Sequence, residues 1–220
     1  HTLTIVKGTL MELSYINENI GESDVSFMCS DKREHLYEDM EYIPVSSLNP
    51  IVWEDAESYS EAIFDITNSG DLSVTKPIAD VFMSFDPYGV SVLPNRLLCM
   101  DGLSTQEQYI IAINNELDVL DKEKSIIEIV SEHYDPEEHG HDVPLDERES
   151  FHSQLIHKLY IDKEKLESYP IQYRHVFRVK GTSSFLFSSE IYDELYNIAV
   201  HGLASGLTAF KFDINEEVPR

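Results

Sequence analysis

Hydrophobic and polar residues follow regular patterns most clearly in the last third of the chain. Residues 176–187 predict a β-hairpin around Gly181, because apolar side chains recur at alternate positions before and after it. Ile191 and Leu195 then recur at helical spacing, and residues 208–214 alternate as a further strand. This order predicts an α+β fold with a largely antiparallel sheet, a few packed helices and a C-terminal β-β-α-β module.

Weaker patterns cover the first two thirds of the chain. They predict short strands and two helices, while residues 117–130 fit either a helix or strands. The predicted strands cover 2–14, 25–29, 89–93, 97–100 and 109–113, and the predicted helices lie at 54–64 and after Pro77. We divide the chain into an N-terminal lobe (1–75) and a C-terminal α+β lobe (76–220), with one continuous domain as the alternative.

Acidic residues dominate the composition. Asp and Glu total 41 against 16 Lys and Arg, which gives 220 residues a formal net charge of −25. Such a charge repels nucleic acid and anionic membranes and attracts basic partners. Spread evenly, it would leave only about two net charges on an interface patch of roughly 800 Å². The charge must therefore be clustered to be functional, and two clusters are present, at residues 54–57 and within the long polar loop predicted at 131–150.

Each acidic cluster is accompanied by an aromatic residue, Trp53 beside the first and Tyr134 in the second. Aromatic anchors surrounded by charges are typical of protein–protein interfaces, although a tryptophan such as Trp53 fits a buried core equally well. The predicted contact residues are Trp53, Glu54, Asp55, Glu57, Tyr134, Asp135, Glu137 and Glu138. The long loop is either an ordered binding loop or a disordered excursion.

Catalytic motifs are missing from the sequence. It contains no GxSxG nucleophile motif and no glycine-rich phosphate loop, and we expect no cofactor. One alternative is a metal-assisted hydrolase, because histidines two residues apart in an extended chain point the same way. Its candidate ligands are His133, His139, His141 and Asp142, without a specific zinc motif.

The absence of a membrane-spanning run and of a signal peptide bears on where the protein is located in the cell. No apolar run approaches the roughly 18 residues needed to cross a bilayer, and no signal peptide is recognisable. Cys29 and Cys99 are far apart and fit free thiols in a reducing compartment better than a disulfide. We therefore expect a cytoplasmic protein.

Two stretches resemble a known family. Residues 175–212 read HVFRVKGTSSFLFSSEIYDELYNIAVHGLASGLTAFKF, and residues 76–97 read KPIADVFMSFDPYGVSVLPNRL. The first resembles the closing module of immunity proteins that are encoded beside bacterial polymorphic and type VI secretion toxins. The second is similar to the middle of such proteins.

This resemblance implies a non-enzymatic protein that binds one cognate toxin and blocks it. The similar motifs form the fold, so the resemblance identifies no binding residue. The acidity supports the same function, since a nuclease toxin has a basic groove that an acidic inhibitor can occupy. We therefore predict stoichiometric binding to a cognate bacterial toxin domain with a basic surface, most plausibly a nuclease.

Overall fold

Two β-sheets and a separate two-stranded ribbon contain the described strands. The structure, a computed structural model, describes residues 11–19, 27–29, 45–54, 65–69, 71–130, 153–202 and 204–219. The strands are β1 (Glu12–Glu18), β2 (Met28–Cys29), β3 (Ile51–Glu54), β4 (Ile66–Ser69), β5 (Asp71–Thr75), β6 (Val90–Cys99), β7 (Gly102–Leu103), β8 (Gln108–Ile113), β9 (Glu116–Leu117), β10 (Ile126–Val130), β11 (Ser153–Lys158), β12 (Val176–Val179), β13 (Phe185–Ser188) and β14 (Leu207–Asp213). The helices are α1 (Lys76–Ser84), α2 (Lys163–Ser168), α3 (Ile171–Arg174) and α4 (Ser189–Val200). The α+β prediction is confirmed.

The seven-stranded sheet has the order β2-β3-β6-β8-β5-β4, with β7 paired to the end of β6. Its strands pair antiparallel except for β3 and β6, which are parallel. One core of this sheet contains Phe27, Trp53 and Leu97, all fully buried. Cys99 lies in the same core and is a free thiol, as predicted for this residue.

The five-stranded sheet has the order β14-β1-β13-β12-β9. Strand β1, from near the start of the chain, pairs antiparallel with β13 on one side and β14 on the other. A second core on this sheet contains Leu13 of β1 together with Phe177 and Phe212 of the C-terminal strands. Strand β1 thus completes a sheet whose other strands all lie beyond residue 75, and the division into two lobes stays a prediction.

A third core packs α1 and α4 against both sheets. Helix α1 follows the extended residue Thr75, has a proline in its first turn and buries Ile78 and Phe82, one turn apart. Helix α4 buries Ile191 and Leu195 in the same core, which also contains residues of both sheets. Burying each such side chain contributes about 1.5–3 kcal/mol to stability. The two helices therefore join the sheets through one shared core.

Arg178 also joins the two sheets. It lies on β12 of the five-stranded sheet, and its Nη2 donates to Asp71 Oδ1 on β5 of the other sheet at 2.7 Å. Its Nε donates to the carbonyl of Ile113 on β8 at 3.2 Å, and its guanidinium lies 4.4 Å from the centroid of the Phe185 ring. The arginine of the predicted C-terminal module is therefore a structural residue.

The C-terminal module forms in the predicted order, as β12, β13, α4 and β14. The β12–β13 hairpin turns through Gly181, whose φ of +78° is in the left-handed region that glycine favours. Ser188 is the N-cap of α4, but its hydroxyl lies 3.0 Å from Nδ1 of His175 instead of capping the helix. In space the module is interrupted, because β1 separates β13 from β14.

Several predicted boundaries differ from the structure. The two strands predicted at 89–93 and 97–100 form the single strand β6, which runs through Pro94. A proline is compatible with this position because β3 pairs with β6 only from Asn95 onward. The ambiguous stretch 117–130 contains the end of β9 and all of β10. In the helix predicted at 54–64, Glu54 instead ends β3, and the remaining residues lie outside the described part of the chain.

Candidate functional site

Trp53 lies in the interior of the protein. Its side chain is 0% exposed and packs in the core with Ile51 and Leu97. Strand β3, which carries it, has a paired strand on each side. A side chain without accessible surface cannot contact a partner in this conformation. The core interpretation therefore applies to Trp53, and we remove it from the predicted contact residues.

Glu54 is exposed at the end of the same strand. It pairs in register with Leu98 of β6, and Leu98 pairs in turn with Leu103 of β7. The β6–β7 hairpin exposes Met100 (58%) and Leu103 (52%), with exposed Asp101 beside them. Strand β6 lies between β3 and β7, so the first acidic cluster begins two strands away from these exposed apolar side chains.

The second acidic cluster joins the described fold at the two-stranded ribbon. Strands β10 and β11 pair antiparallel, and Val130 lies opposite Ser153. Ile127 and Ile156 of the ribbon pack against the core of the five-stranded sheet. The chain positions before and after 131–152 are therefore held side by side. Six predicted contact residues lie outside the described part of the chain: Asp55, Glu57, Tyr134, Asp135, Glu137 and Glu138.

Most of the described lysines and arginines have a carboxylate partner within 4.0 Å. Several pairs lie three or four residues apart in sequence, and others join separate elements. The pairs are Lys76–Asp80, Lys124–Asp121, Lys158–Glu217, Lys163–Glu167, Lys165–Asp162, Arg178–Asp71 and Lys211–Asp193. Because these cations are neutralised locally, the excess carboxylates determine the sign of the surface potential.

The turn between α1 and β6 is fixed against α3. Tyr88 stacks on Tyr173 with ring centroids 3.8 Å apart, and its N–H donates to the carbonyl of Gln172 at 3.0 Å. The side-chain amide of Asn115 donates to the carbonyl of Tyr173 at 2.7 Å. A hydrogen bond with Tyr88 raises the pKa of Tyr173, and burial adds to the rise. The aromatic residue in this turn therefore contributes to the fold, as expected for the motifs of the resemblance.

Backbone conformation constrains the same turn. Asp86 has a φ of +48° and Gly89 a φ of +65°, both in the left-handed region. A Cβ placed on Gly89 would lie 3.2 Å from Cβ of Asn115. Glycine is required at this position for both reasons, conformation and close approach.

His175 is a buried titratable residue beside the N-cap of α4. It is 8% exposed, and its ring packs against the Phe85 ring at a tilt of 46°, with centroids 5.1 Å apart. Burial lowers the pKa of His175, because desolvation disfavours the imidazolium. Arg174 also lowers this pKa, whereas Glu190 opposes the change. The arrangement favours a neutral imidazole beside the Ser188 hydroxyl.

The metal-site alternative concerns residues that the structure does not describe. Its candidate ligands His133, His139, His141 and Asp142 lie outside the described residues. Within the described ranges, no group of three or more His, Cys, Asp or Glu side chains is arranged to hold a metal ion.

The exposed side of α4 was missed by the sequence analysis. Tyr196 and Val200 lie on the side of the helix opposite Ile191 and Leu195. Their apolar character at outward positions was the available signal, since the buried residues already account for the packing of the helix.

Comparison with known families agrees with the resemblance seen in the sequence. Residues 52–213 match the model of the Immunity protein family (Imm11), and this range covers most of the chain. The chain therefore belongs to this family of immunity proteins. No curated protein matches the chain.

Family membership identifies the class of function. An immunity protein inhibits a cognate toxin by binding it, and the family assignment indicates a non-enzymatic inhibitor. The matched range begins within β3 and ends with β14, so it includes elements of both sheets. Among the described helices, none has the length and apolar composition that a bilayer crossing requires.

Proposed function

We propose that the protein neutralises a secreted nuclease toxin by binding it one to one and covering its basic active-site surface. It acts in the cytoplasm of the toxin-producing cell, within a polymorphic or type VI secretion toxin system. The family match over residues 52–213 is the observation that carries the immunity function. The nuclease assignment rests on charge, because a surface that binds phosphates is basic and attracts an acidic inhibitor.

The proposed contact surface combines the two acidic clusters. Glu54 supports the first, since it is exposed at the end of β3. Asp55 and Glu57 follow it directly in the sequence. The second cluster comprises Tyr134, Asp135, Glu137 and Glu138, in a segment whose only counter-charge is Arg148.

Titration against the toxin encoded immediately upstream of the gene tests the immunity function. Increasing amounts of the protein should abolish nuclease activity with an endpoint at one inhibitor per toxin, and the two should elute together in size-exclusion chromatography. A neighbouring toxin that binds but catalyses another reaction would remove the nuclease assignment and leave the immunity function intact. Absence of binding would overturn both.

Salt dependence tests the electrostatic mechanism. The association rate constant should fall by at least about tenfold as ionic strength rises from about 0.01 M to about 1 M, because the Debye length shrinks from about 30 Å to about 3 Å. An association rate that does not change with salt would exclude steering by the acidic clusters.

Charge reversal tests whether the clusters are the contact surface. One variant carries Glu54→Lys, Asp55→Lys and Glu57→Lys. The control reverses three exposed acids elsewhere, Asp118→Lys, Glu123→Lys and Glu164→Lys. Both variants change the net charge equally, so both should slow association, but only the first should also speed dissociation. Equal dissociation rates would remove the first cluster from the interface.

A further inference from the structure

Arg174 is a half-buried cation without an ion pair. It is the last residue of α3, and among the described residues no carboxylate lies within 4.0 Å of its guanidinium. Its Nε is the one buried side-chain nitrogen or oxygen of the described ranges that has no hydrogen-bond partner. The two terminal nitrogens have no partner there either and are not buried, so the outer end of the guanidinium reaches solvent.

Arg178, four residues further along the chain, shows the contacts of a structural arginine in the same protein. Its guanidinium donates to Asp71 and to the carbonyl of Ile113, and it lies over the ring of Phe185. Acids for a second such pair are abundant, with 41 Asp and Glu against 16 Lys and Arg. The unpaired state of Arg174 is therefore not explained by a shortage of carboxylates.

The setting of Arg174 lowers the stability of the free protein. A buried N–H without an acceptor has lost its hydrogen bond to water and gained none in return. A cation at the end of a helix is favourable for the helix dipole, but α3 has only four residues and a lysine would serve equally well. Side chains that are retained at a cost to stability are expected where function requires them.

The surface around Arg174 has the composition of a protein interface. Ile171 lies three residues earlier, hence on the same side of the one-turn helix, and is 45% exposed. Tyr88, which stacks on Tyr173 of this helix, is 53% exposed. Arginine and tyrosine are enriched among the residues that contribute most to binding between proteins.

We propose that Arg174 binds a carboxylate of the toxin and thereby selects the cognate toxin among basic proteins. The two terminal nitrogens can donate two parallel hydrogen bonds to one carboxylate, which a lysine cannot do. An acidic surface alone attracts any basic protein. A protein with a basic group opposite Arg174 would be repelled there, so one cation within an acidic surface adds specificity. The proposal rests on the immunity function and concerns a residue outside the two acidic clusters.

Net charge favours a carboxylate of the toxin over other anions. A phosphate would also fit the guanidinium, but a nucleic acid or an anionic membrane is repelled by a protein with a net charge of −25. A second copy of the chain offers many carboxylates but carries the same net charge, so like-charge repulsion opposes its approach. A basic toxin is attracted as a whole and needs only one carboxylate at this point.

Arg174→Met tests the contact against a matched control. The control is Lys180→Met, which removes an exposed lysine that has no carboxylate partner among the described residues. Each variant makes the protein more acidic by one charge, which on long-range attraction alone would strengthen binding to a basic toxin. We expect the dissociation constant with the neighbouring toxin to rise at least about tenfold for Arg174→Met and to stay within about twofold for Lys180→Met.

Urea denaturation of the free protein separates binding from folding. Arg174→Met should leave the urea midpoint unchanged or raise it, because the substitution removes an unsatisfied buried donor and breaks no hydrogen bond of the described residues. Arg174→Lys should recover only part of the lost affinity, since it restores the charge without the planar fork. A clear fall in the urea midpoint of Arg174→Met would show that the residue is structural and would overturn the proposal.

A double-mutant cycle identifies the partner group on the toxin. Single aspartates and glutamates of the toxin are replaced by the corresponding amides, and each toxin variant is titrated with the wild type and with Arg174→Met. One amide variant should bind the wild type about as weakly as the unmodified toxin binds Arg174→Met, and combining the two changes should weaken binding little further. Additive losses for every toxin carboxylate would contradict the proposed pair.

The outcomes distinguish this proposal from the immunity function. If the wild type binds the toxin and Arg174→Met binds it within about twofold, Arg174 does not contact the toxin and the immunity function stands. If Arg174→Met alters self-association but not toxin binding, the carboxylate belongs to a second copy and the proposal is overturned. If the wild type does not bind the toxin, the immunity function itself fails.

Discussion

Arg178 is expected to stabilise the junction between the two sheets more than its single ion pair suggests. Its guanidinium joins Asp71 and the carbonyl of Ile113, and it lies over the ring of Phe185. The Arg178 and Asp71 side chains are 27% and 14% exposed, between a surface pair and a fully buried one. Removing one partner of a buried pair costs about 3–5 kcal/mol, whereas exposed pairs contribute about 0–1 kcal/mol.

We therefore expect Arg178→Met to lower the free energy of unfolding by about 2–3 kcal/mol, which includes the lost hydrogen bonds to charged groups. Arg178→Lys should recover less than half of the loss, because an ammonium cannot reproduce the forked geometry that reaches two acceptors. A double-mutant cycle with Asp71→Asn should give a coupling energy of about 1 kcal/mol or more.

Urea denaturation measures these changes through the fluorescence of Trp53, which is the only tryptophan and is fully buried. The control is Lys76→Met, which removes an ion pair with Asp80 that is shorter, at 2.6 Å, but has side chains that are 67% and 63% exposed. This control should leave the urea midpoint unchanged within error. If both variants shift the midpoint equally, or Arg178→Met costs less than about 0.5 kcal/mol, burial does not strengthen the Arg178 pair as argued.

Two further predictions concern the turn before β6 and its neighbour His175. Gly89→Ala should destabilise the protein more than Gly181→Ala. Both glycines have a positive φ, which costs a non-glycine residue about 1–2 kcal/mol. Only a Cβ on Gly89 would also meet Asn115, at 3.2 Å. Equal urea midpoints for the two variants would show that the close approach relaxes without cost. The lowered pKa of His175 means that the unfolded chain binds a proton more readily than the folded one. Its contribution to stability is therefore full above about pH 6.5 and is lost as the pH falls toward the lowered value. The urea midpoint of the wild type should drop more than that of His175→Asn between about pH 7 and about pH 5, and parallel curves would contradict this account.

The C-terminal module could be predicted because its local patterns agree with its environment. Gly181 supplies the turn, and Ile191 and Leu195 alternate at helical period with polar neighbours. The partner of β14 could not be predicted in the same way. Pairing with β1 depends on contacts between residues almost two hundred positions apart, and no local pattern records them.

The site was only partly predictable, because the residues next to a tryptophan in the sequence do not show whether its side chain is buried in a core or exposed at an interface. Trp53 lies between apolar Val52 and acidic Glu54, and the strand alternation buries Trp53 and exposes Glu54. The role of Arg178 was equally hard to predict, because the sequence around an arginine in a strand does not show which acidic residue of another sheet it will pair with. Only tertiary structure assigns these side chains to the core or to the surface.

The position of β1 between β13 and β14 has a consequence for synthesis. A growing chain presents β1 before the strands that flank it, so β1 lacks both partners until β13 is made and lacks β14 until residue 213 has emerged from the ribosome. Long-range strand pairing of this kind forms slowly. A producing cell therefore gains protection only from molecules that are synthesised through β14, and a truncation before β14 would leave an open edge on β1 that invites aggregation.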